Sequence, residues 1–112
     1  MSKKRLLGSI GKAKNGHLSY DIGNAKSSFF PVFCQLVEKQ FEAKAVESPT
    51  SHVSEILGAV RIYGVELGWG WDNWSGVYLM ALSPEGDSIV REVAGFIDPK
   101  LKKERFESHV HM

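Results

Sequence analysis

The sequence predicts an α+β fold. We expect an antiparallel sheet of about five to six strands in the order ββ-α-βββ(β)-α, with one Phe-rich helix on a face and a short helix at the C-terminus. Three observations point there. Strand-like alternating segments are separated by strong turn signals at Asn15-Gly16 and Ser83-Pro84-Glu85-Gly86-Asp87, and by a tight turn that Asp72-Asn73 can form. A single segment, residues 28 to 41, has clear helical periodicity. The chain also carries 11 Gly and 4 Pro, which suits a meandering sheet better than a bundle.

The first element predicted is a hairpin over residues 5 to 22. Leu7, Ile10, Leu18, Tyr20 and Ile22 flank Lys14-Asn15-Gly16-His17. A two-residue Asn-Gly turn would place Lys14 opposite His17. Gly8 and Gly11 weaken the first strand. The helix follows, with Ser27 or Ser28 as cap and Pro31 in the first turn, where a missing amide hydrogen costs little. Phe30, Phe33, Val37 and Phe41 recur at spacings of three and four, flanked by Phe29 and Leu36.

A strand is expected near residues 41 to 46 and a loop over 47 to 54, while 55 to 59 reads as either a helical turn or irregular chain. The remainder reads as a three-stranded meander. Val60 to Trp71 is its first long strand, with Arg61, Tyr63, Val65, Leu67, Trp69 and Trp71 on one side, Trp74 to Leu82 its second and Ile89 to Ile97 its third. Asp98-Pro99 then opens a charged helix over roughly 99 to 108.

At 112 residues, 43% hydrophobic and 24% charged, the chain can bury one core and reads as a single domain over residues 1 to 112. One cysteine, Cys34, excludes an intramolecular disulfide. The basic start, Lys3-Lys4-Arg5, is followed by only Leu6 and Leu7 before Gly8, too little for a signal peptide. No stretch reaches the roughly 20 apolar residues of a membrane helix, so a cytoplasmic protein without membrane contact is expected. The formal charge of +1 hides an uneven distribution: five cations and no acid in the first fourteen residues, eight acids against three bases from Glu38 to Asp87, then a basic stretch from Lys100 to Arg105. Clustered cations can contact nucleic acid, although a Lys-rich terminus is more often merely solvated.

The segment Gly68-Trp69-Gly70-Trp71-Asp72-Asn73-Trp74 places three tryptophans within six residues. Rings flanked by glycine can stack on a sugar, a base or a partner side chain. The alternative is structural, with Trp69 and Trp71 facing the core and Trp74 pairing across the hairpin. The candidate interface comprises Tyr63, Glu66, Trp69, Trp71, Asp72, Asn73, Trp74 and Tyr78. No dinucleotide fingerprint exists, since Asn73 stands where a third glycine is required.

No catalytic residue, cofactor or metal site is expected. His17, His52, His109 and His111 lack ligand spacing, and His109-Val110-His111 reads as a frayed tail. Cys34 lies mid-helix at the edge of an apolar face, where thiols behave as small hydrophobes.

The leading functional expectation is therefore a non-enzymatic protein-binding module. In size and general build the chain resembles bacterial immunity proteins, which cover a toxin's site, with no motif diagnostic of them. That resemblance implies a small inhibitor or adaptor meeting a basic partner through tryptophans and acids. A second reading is a pocket between helix and sheet for a small ligand or substrate, lined by Arg61, Tyr63, Trp71 and Tyr78. Self-association as a homodimer would also use the aromatics. Nucleic-acid binding through the basic termini ranks behind these, because the aromatics lie in the acidic middle.

Overall fold

The computed structural model describes residues 5–46, 48–51 and 54–111. Lys3 and Lys4 of the basic N-terminus, and His52, lie outside them. Strands β1 (Gly8–Lys12) and β2 (Leu18–Ile22) precede helix α1 (Phe29–Gln40). Strands β3 (Ala43–Ala45), β4 (Thr50–Ser51), β5 (Glu55–Ile62), β6 (Val65–Asp72) and β7 (Gly76–Ala81) follow, then helix α2 (Pro84–Lys103) and a 3-10 turn, Glu107–His109. The strands form one sheet in the order β1-β2-β7-β6-β5-β3, with the two-residue β4 also on β5. Every pairing is antiparallel. The α+β antiparallel architecture is as the sequence predicts.

Alternation decides which side is covered. Tyr20 and Ile22 on β2, Val60 and Ile62 on β5, Leu67 and Trp69 on β6, and Val77, Leu79 and Ala81 on β7 all point to one face and are buried. Both helices cover that face. Helix α1 contributes Phe29, Phe30, Phe33 and Val37, and α2 contributes Ile89, Val90, Val93, Ala94, Ile97 and Leu101. Phe30 meets Trp69 edge-on at 5.8 Å between ring centroids. Apolar burial of this kind is the main stabilising contribution in a domain of this size.

Local chemistry moves several boundaries. Lys12 pairs with Leu18, and the Ala13 amide donates to His17 O, so the first hairpin turns through the five residues 13 to 17. Lys14 therefore does not face His17. Asn15 spends its side chain on the loop and the sheet, accepting from the His17 amide and donating to Ala81 O. The predicted long strand through Arg61 is two strands. Tyr63 at φ 52° and Gly64 at φ 78° make a tight turn, and Ile62 pairs with Val65. A glycine at the second left-handed position is what such a turn requires. Residues 55 to 59, expected as a helical turn or irregular chain, are the first half of β5.

The largest correction concerns residues 83 to 103. Ser83-Pro84-Glu85-Gly86 is a helix start, not a hairpin turn, and no strand runs from Ile89 to Ile97. The Ser83 hydroxyl accepts from the Gly86 amide at 3.1 Å, with Pro84 first in the helix and Glu85 and Asp87 in its first turn. Ile89, Val93, Ile97 and Leu101 recur every four residues, a helical stripe rich in β-branched side chains. The C-terminal helix thus spans 20 residues rather than starting at Asp98-Pro99. Pro99 lies inside it, on an exposed flank where the carbonyl it leaves without an amide, that of Gly95, reaches water.

The tail is docked rather than frayed. Val110 is buried and bridges Ala25, the Lys26 amide donates to His109 O, and the His111 amide donates to Asn24 O. Ser28 is the N-cap residue of α1, yet its hydroxyl bonds His109 Nδ1 at 2.9 Å instead of capping.

Candidate interaction surface

The uncovered face carries the other half of each strand's alternation: Asp21 on β2, Glu55, Leu57 and Arg61 on β5, Glu66, Gly68, Gly70 and Asp72 on β6, and Tyr78 and Met80 on β7. Glycines at 68 and 70 leave a flat floor beside Tyr78. A depression of about 430 Å³ opens there, lined by Asp21, Asp72, Tyr78 and Met80, with Lys12 and Lys14 on its rim. Burial raises the Asp21 carboxyl above its ordinary value; the Ser19 hydroxyl, donating to it at 2.6 Å, opposes this, and Asp72 adds to it. Tyr78 is also raised, by burial first and then by Asp72, Glu55 and Asp21. Three carboxylates, Asp21, Glu55 and Asp72, thus lie near one phenol, with Lys12 and Lys14 at the edge of the depression. Among the described residues neither Asp21 nor Asp72 is in an ion pair, whereas Glu66 meets Arg61 at 3.6 Å.

The three tryptophans have three different environments. Trp69 is 1% exposed in the core. Trp71 is half-buried and donates its indole N–H to Ala25 O at 2.8 Å, tying β6 to the segment before α1. Trp74 is 93% exposed at the tip of the β6–β7 hairpin. The tip is firm beneath it, because Asp72 Oδ1 accepts from the amides of Trp74 and Ser75 at 2.8 and 2.6 Å. Asp72, Asn73 and Trp71 share a crevice of about 270 Å³ with Gly23, Asn24 and His111.

Of the eight residues singled out from sequence, the structure brings Trp71, Asp72, Asn73 and Trp74 together at one end of the sheet, with Tyr78 beside them on the open face. Tyr63 lies in the β5–β6 turn at the opposite end. Asp21 and Glu55 were missed. The signal for Asp21 is present in Leu18-Ser19-Tyr20-Asp21-Ile22, where polar and apolar positions alternate.

The Ser28–His109 contact lacks the remainder of a hydrolytic site: no carboxylate bonds His109 among the described residues, and the Phe29 and Phe30 amides are taken by Lys26 O and Ser27 O. Burial, with Glu38 nearby, pushes the Cys34 thiol up to about 12. No group of three or more His, Cys, Asp or Glu side chains converges as for a metal among the described residues. No helix of the described residues is long and apolar enough to cross a membrane.

No protein family, no curated protein and no solved structure matches this chain.

Proposed function

We propose that this chain is a non-enzymatic protein-binding module, an inhibitor or adaptor of the immunity-protein kind acting in the cytoplasm, that meets a basic partner with the Trp74 hairpin and the adjoining open face. The observation carrying this reading is Trp74 itself. A solvated indole on a hydrogen-bonded tip contributes nothing to the core, and a preorganised aromatic is what an interface hot spot uses. Asp21, Asp72 and Glu55 around Tyr78 supply a negative field that would speed encounter with a positive surface.

The test is quantitative affinity capture from host extract with the full chain, Trp74→Ala and Asp21→Asn. The expected result is a protein retained by the wild type and lost at least tenfold with Trp74→Ala. Equal recovery by all three proteins would refute the reading. Light scattering on the same samples distinguishes a second copy as the partner, since a wild-type dimer that Trp74→Ala converts to monomer makes the interface homotypic.

A second reading rests on the cleft of about 690 Å³ between the end of α1 and β3, lined by Glu38, Phe41, Glu42, Lys44, Arg61 and Tyr63. Its volume is in the range of small-ligand sites. Two of the expected lining residues, Arg61 and Tyr63, are there, while Trp71 and Tyr78 are not.

A further inference from the structure

The two basic segments, 97 residues apart in sequence at Arg5 and Lys102, meet in the fold. Leu6 is buried, and its neighbours are fixed by Asn24, which donates to Arg5 O at 2.7 Å and accepts from the Leu7 amide at 3.0 Å. Arg5 is thereby laid against the last turn of α2, where its guanidinium donates to the Lys102 carbonyl. A recess of about 170 Å³ results, with Arg5, Lys103 and Arg105 around it and Glu104 and Glu107 also on its wall. Glu104 is engaged by Lys100 at 3.2 Å. Among the described residues Arg5, Lys102, Lys103 and Arg105 have no carboxylate partner. Five cations, counting Lys100, stand against two carboxylates here, a local net of +3 on a chain whose total is +1.

Cations in the last turn of a helix complement its dipole, and Lys100, Lys102 and Lys103 meet that need without help. Adding Arg5 from the other end of the chain sets like charges side by side, which costs free energy in the unbound protein. A polyanion reverses the sign of that cost. We propose that this end of the molecule binds the phosphodiester backbone of nucleic acid, without sequence preference and independently of the Trp74 surface. The alternative polyanion, an anionic membrane, asks for apolar side chains to insert among the cations. Phe106 is packed against Phe29 and His109, and Leu7 is the one large apolar side chain well exposed beside the cluster among the described residues. That is too little for an anchor.

The experiment is fluorescence polarisation of the full chain with a labelled random-sequence duplex at 50 and 200 mM salt. Contact with three to four phosphates predicts an affinity loss of roughly 40- to 150-fold across that range. Lys102→Glu with Lys103→Glu and Arg105→Glu should abolish binding, while Lys39→Glu with Lys44→Glu, an opposing change elsewhere, should weaken it only a few-fold. The milder Lys103→Gln and Arg105→Gln, both at exposed positions, should each weaken binding about two- to fivefold if one phosphate contact is lost. Circular dichroism melting confirms that each variant is folded. Absence of binding at 50 mM salt would overturn the proposal, as would equal losses in the two charge-reversal variants. Binding to phosphatidylserine vesicles that duplex does not compete would overturn it in favour of a membrane.

Discussion

The two faces of β6 differ sharply in what they carry. Toward the helices the strand presents Leu67, Trp69 and Trp71; toward solvent it presents Glu66, Gly68, Gly70 and Asp72. One side is packed with large apolar side chains, while the other carries two carboxylates flanking two bare glycines. The covered face holds the fold together, while the open face is shaped by what is absent from it. Substitutions of similar size should therefore have effects that depend on the face they reach.

The largest effect belongs to the covered face. Trp69 lies between Phe30 and Gly58 with no solvent access, so Trp69→Ala leaves a large void. We expect a loss of about 3–5 kcal/mol in the free energy of unfolding, read from the midpoint of a urea or guanidinium transition. A loss below about 1 kcal/mol would mean that the core is not organised around this indole.

The glycines of the open face sharpen the contrast. A methyl group at Gly70 would lie 2.1 Å from Ile56 O and 2.9 Å from the Tyr78 hydroxyl, so Gly70→Ala must displace backbone. Its cost should be roughly 1–3 kcal/mol. At Gly68 the nearest atom is Met80 Cε at 3.7 Å, an ordinary contact. Gly68→Ala should be neutral or stabilise by up to about 1 kcal/mol, because alanine loses less chain entropy on folding. Equal melting temperatures for the two variants would show that the floor at Gly70 is not closely packed.

The same dichotomy explains what the sequence reveals. The α1 stripe and the alternation of β2 and β7 are strong periodic signals, and each is dictated by one partner surface. Helix α2 was illegible for a specific reason. Ile89, Val90, Val93 and Ile97 are strand formers by composition, and Ser83-Pro84-Glu85-Gly86 serves a turn or an N-cap equally well. The four-residue recurrence of Ile89, Val93, Ile97 and Leu101 was the better guide, since packing on the sheet outweighs the small propensity penalty of β-branched residues. The Tyr63-Gly64 turn moves the buried positions from Val60 and Ile62 to Leu67 and Trp69, a shift of phase that Tyr63 masked by continuing the apolar alternation of Val65, Leu67 and Trp69 back toward Arg61. At the candidate surface, the cluster of tryptophans was visible but their separation into core, strut and tip was not. That division depends on the side of β6 each residue occupies and on where the hairpin ends.

Two carboxylates on opposite faces should respond to pH in opposite senses. Asp87, in the first turn of α2, accepts from the Leu18 amide at 2.8 Å and meets His17 at 3.3 Å, and these bonds lower its pKa. A depressed carboxyl contributes stability above its ordinary range, and that contribution is lost as pH falls through the folded value. Asp21 is raised, chiefly by burial, so its ionised form opposes folding and acidification relieves it. At pH 7, Asp87→Asn should lower the melting temperature and Asp21→Asn should raise it. The Asp21 difference should shrink toward zero as pH falls through the ordinary carboxylate range near about pH 4, whereas the Asp87 difference should persist to lower pH, because its folded carboxyl stays ionised below that range. Shifts of the same sign would mean that Asp21 is better solvated than the packing on the open face implies.

The smallest stability effect should come from the most conspicuous side chain. Trp74 has the same mass as Trp69, but at 93% exposure it has almost no protein contact to lose. Its backbone amide, rather than its ring, is what Asp72 holds. Trp74→Ala should therefore change unfolding free energy by less than about 0.5 kcal/mol. It should also remove the red-shifted, acrylamide-accessible part of the tryptophan emission, leaving the shielded signal of Trp69 and Trp71. A variant that melts with the wild type and loses only that accessible fluorescence would show the ring to be free of any folding role. A drop in stability matching that of Trp69→Ala would instead place the ring against the body of the protein, and the interface reading would lose the observation on which it stands.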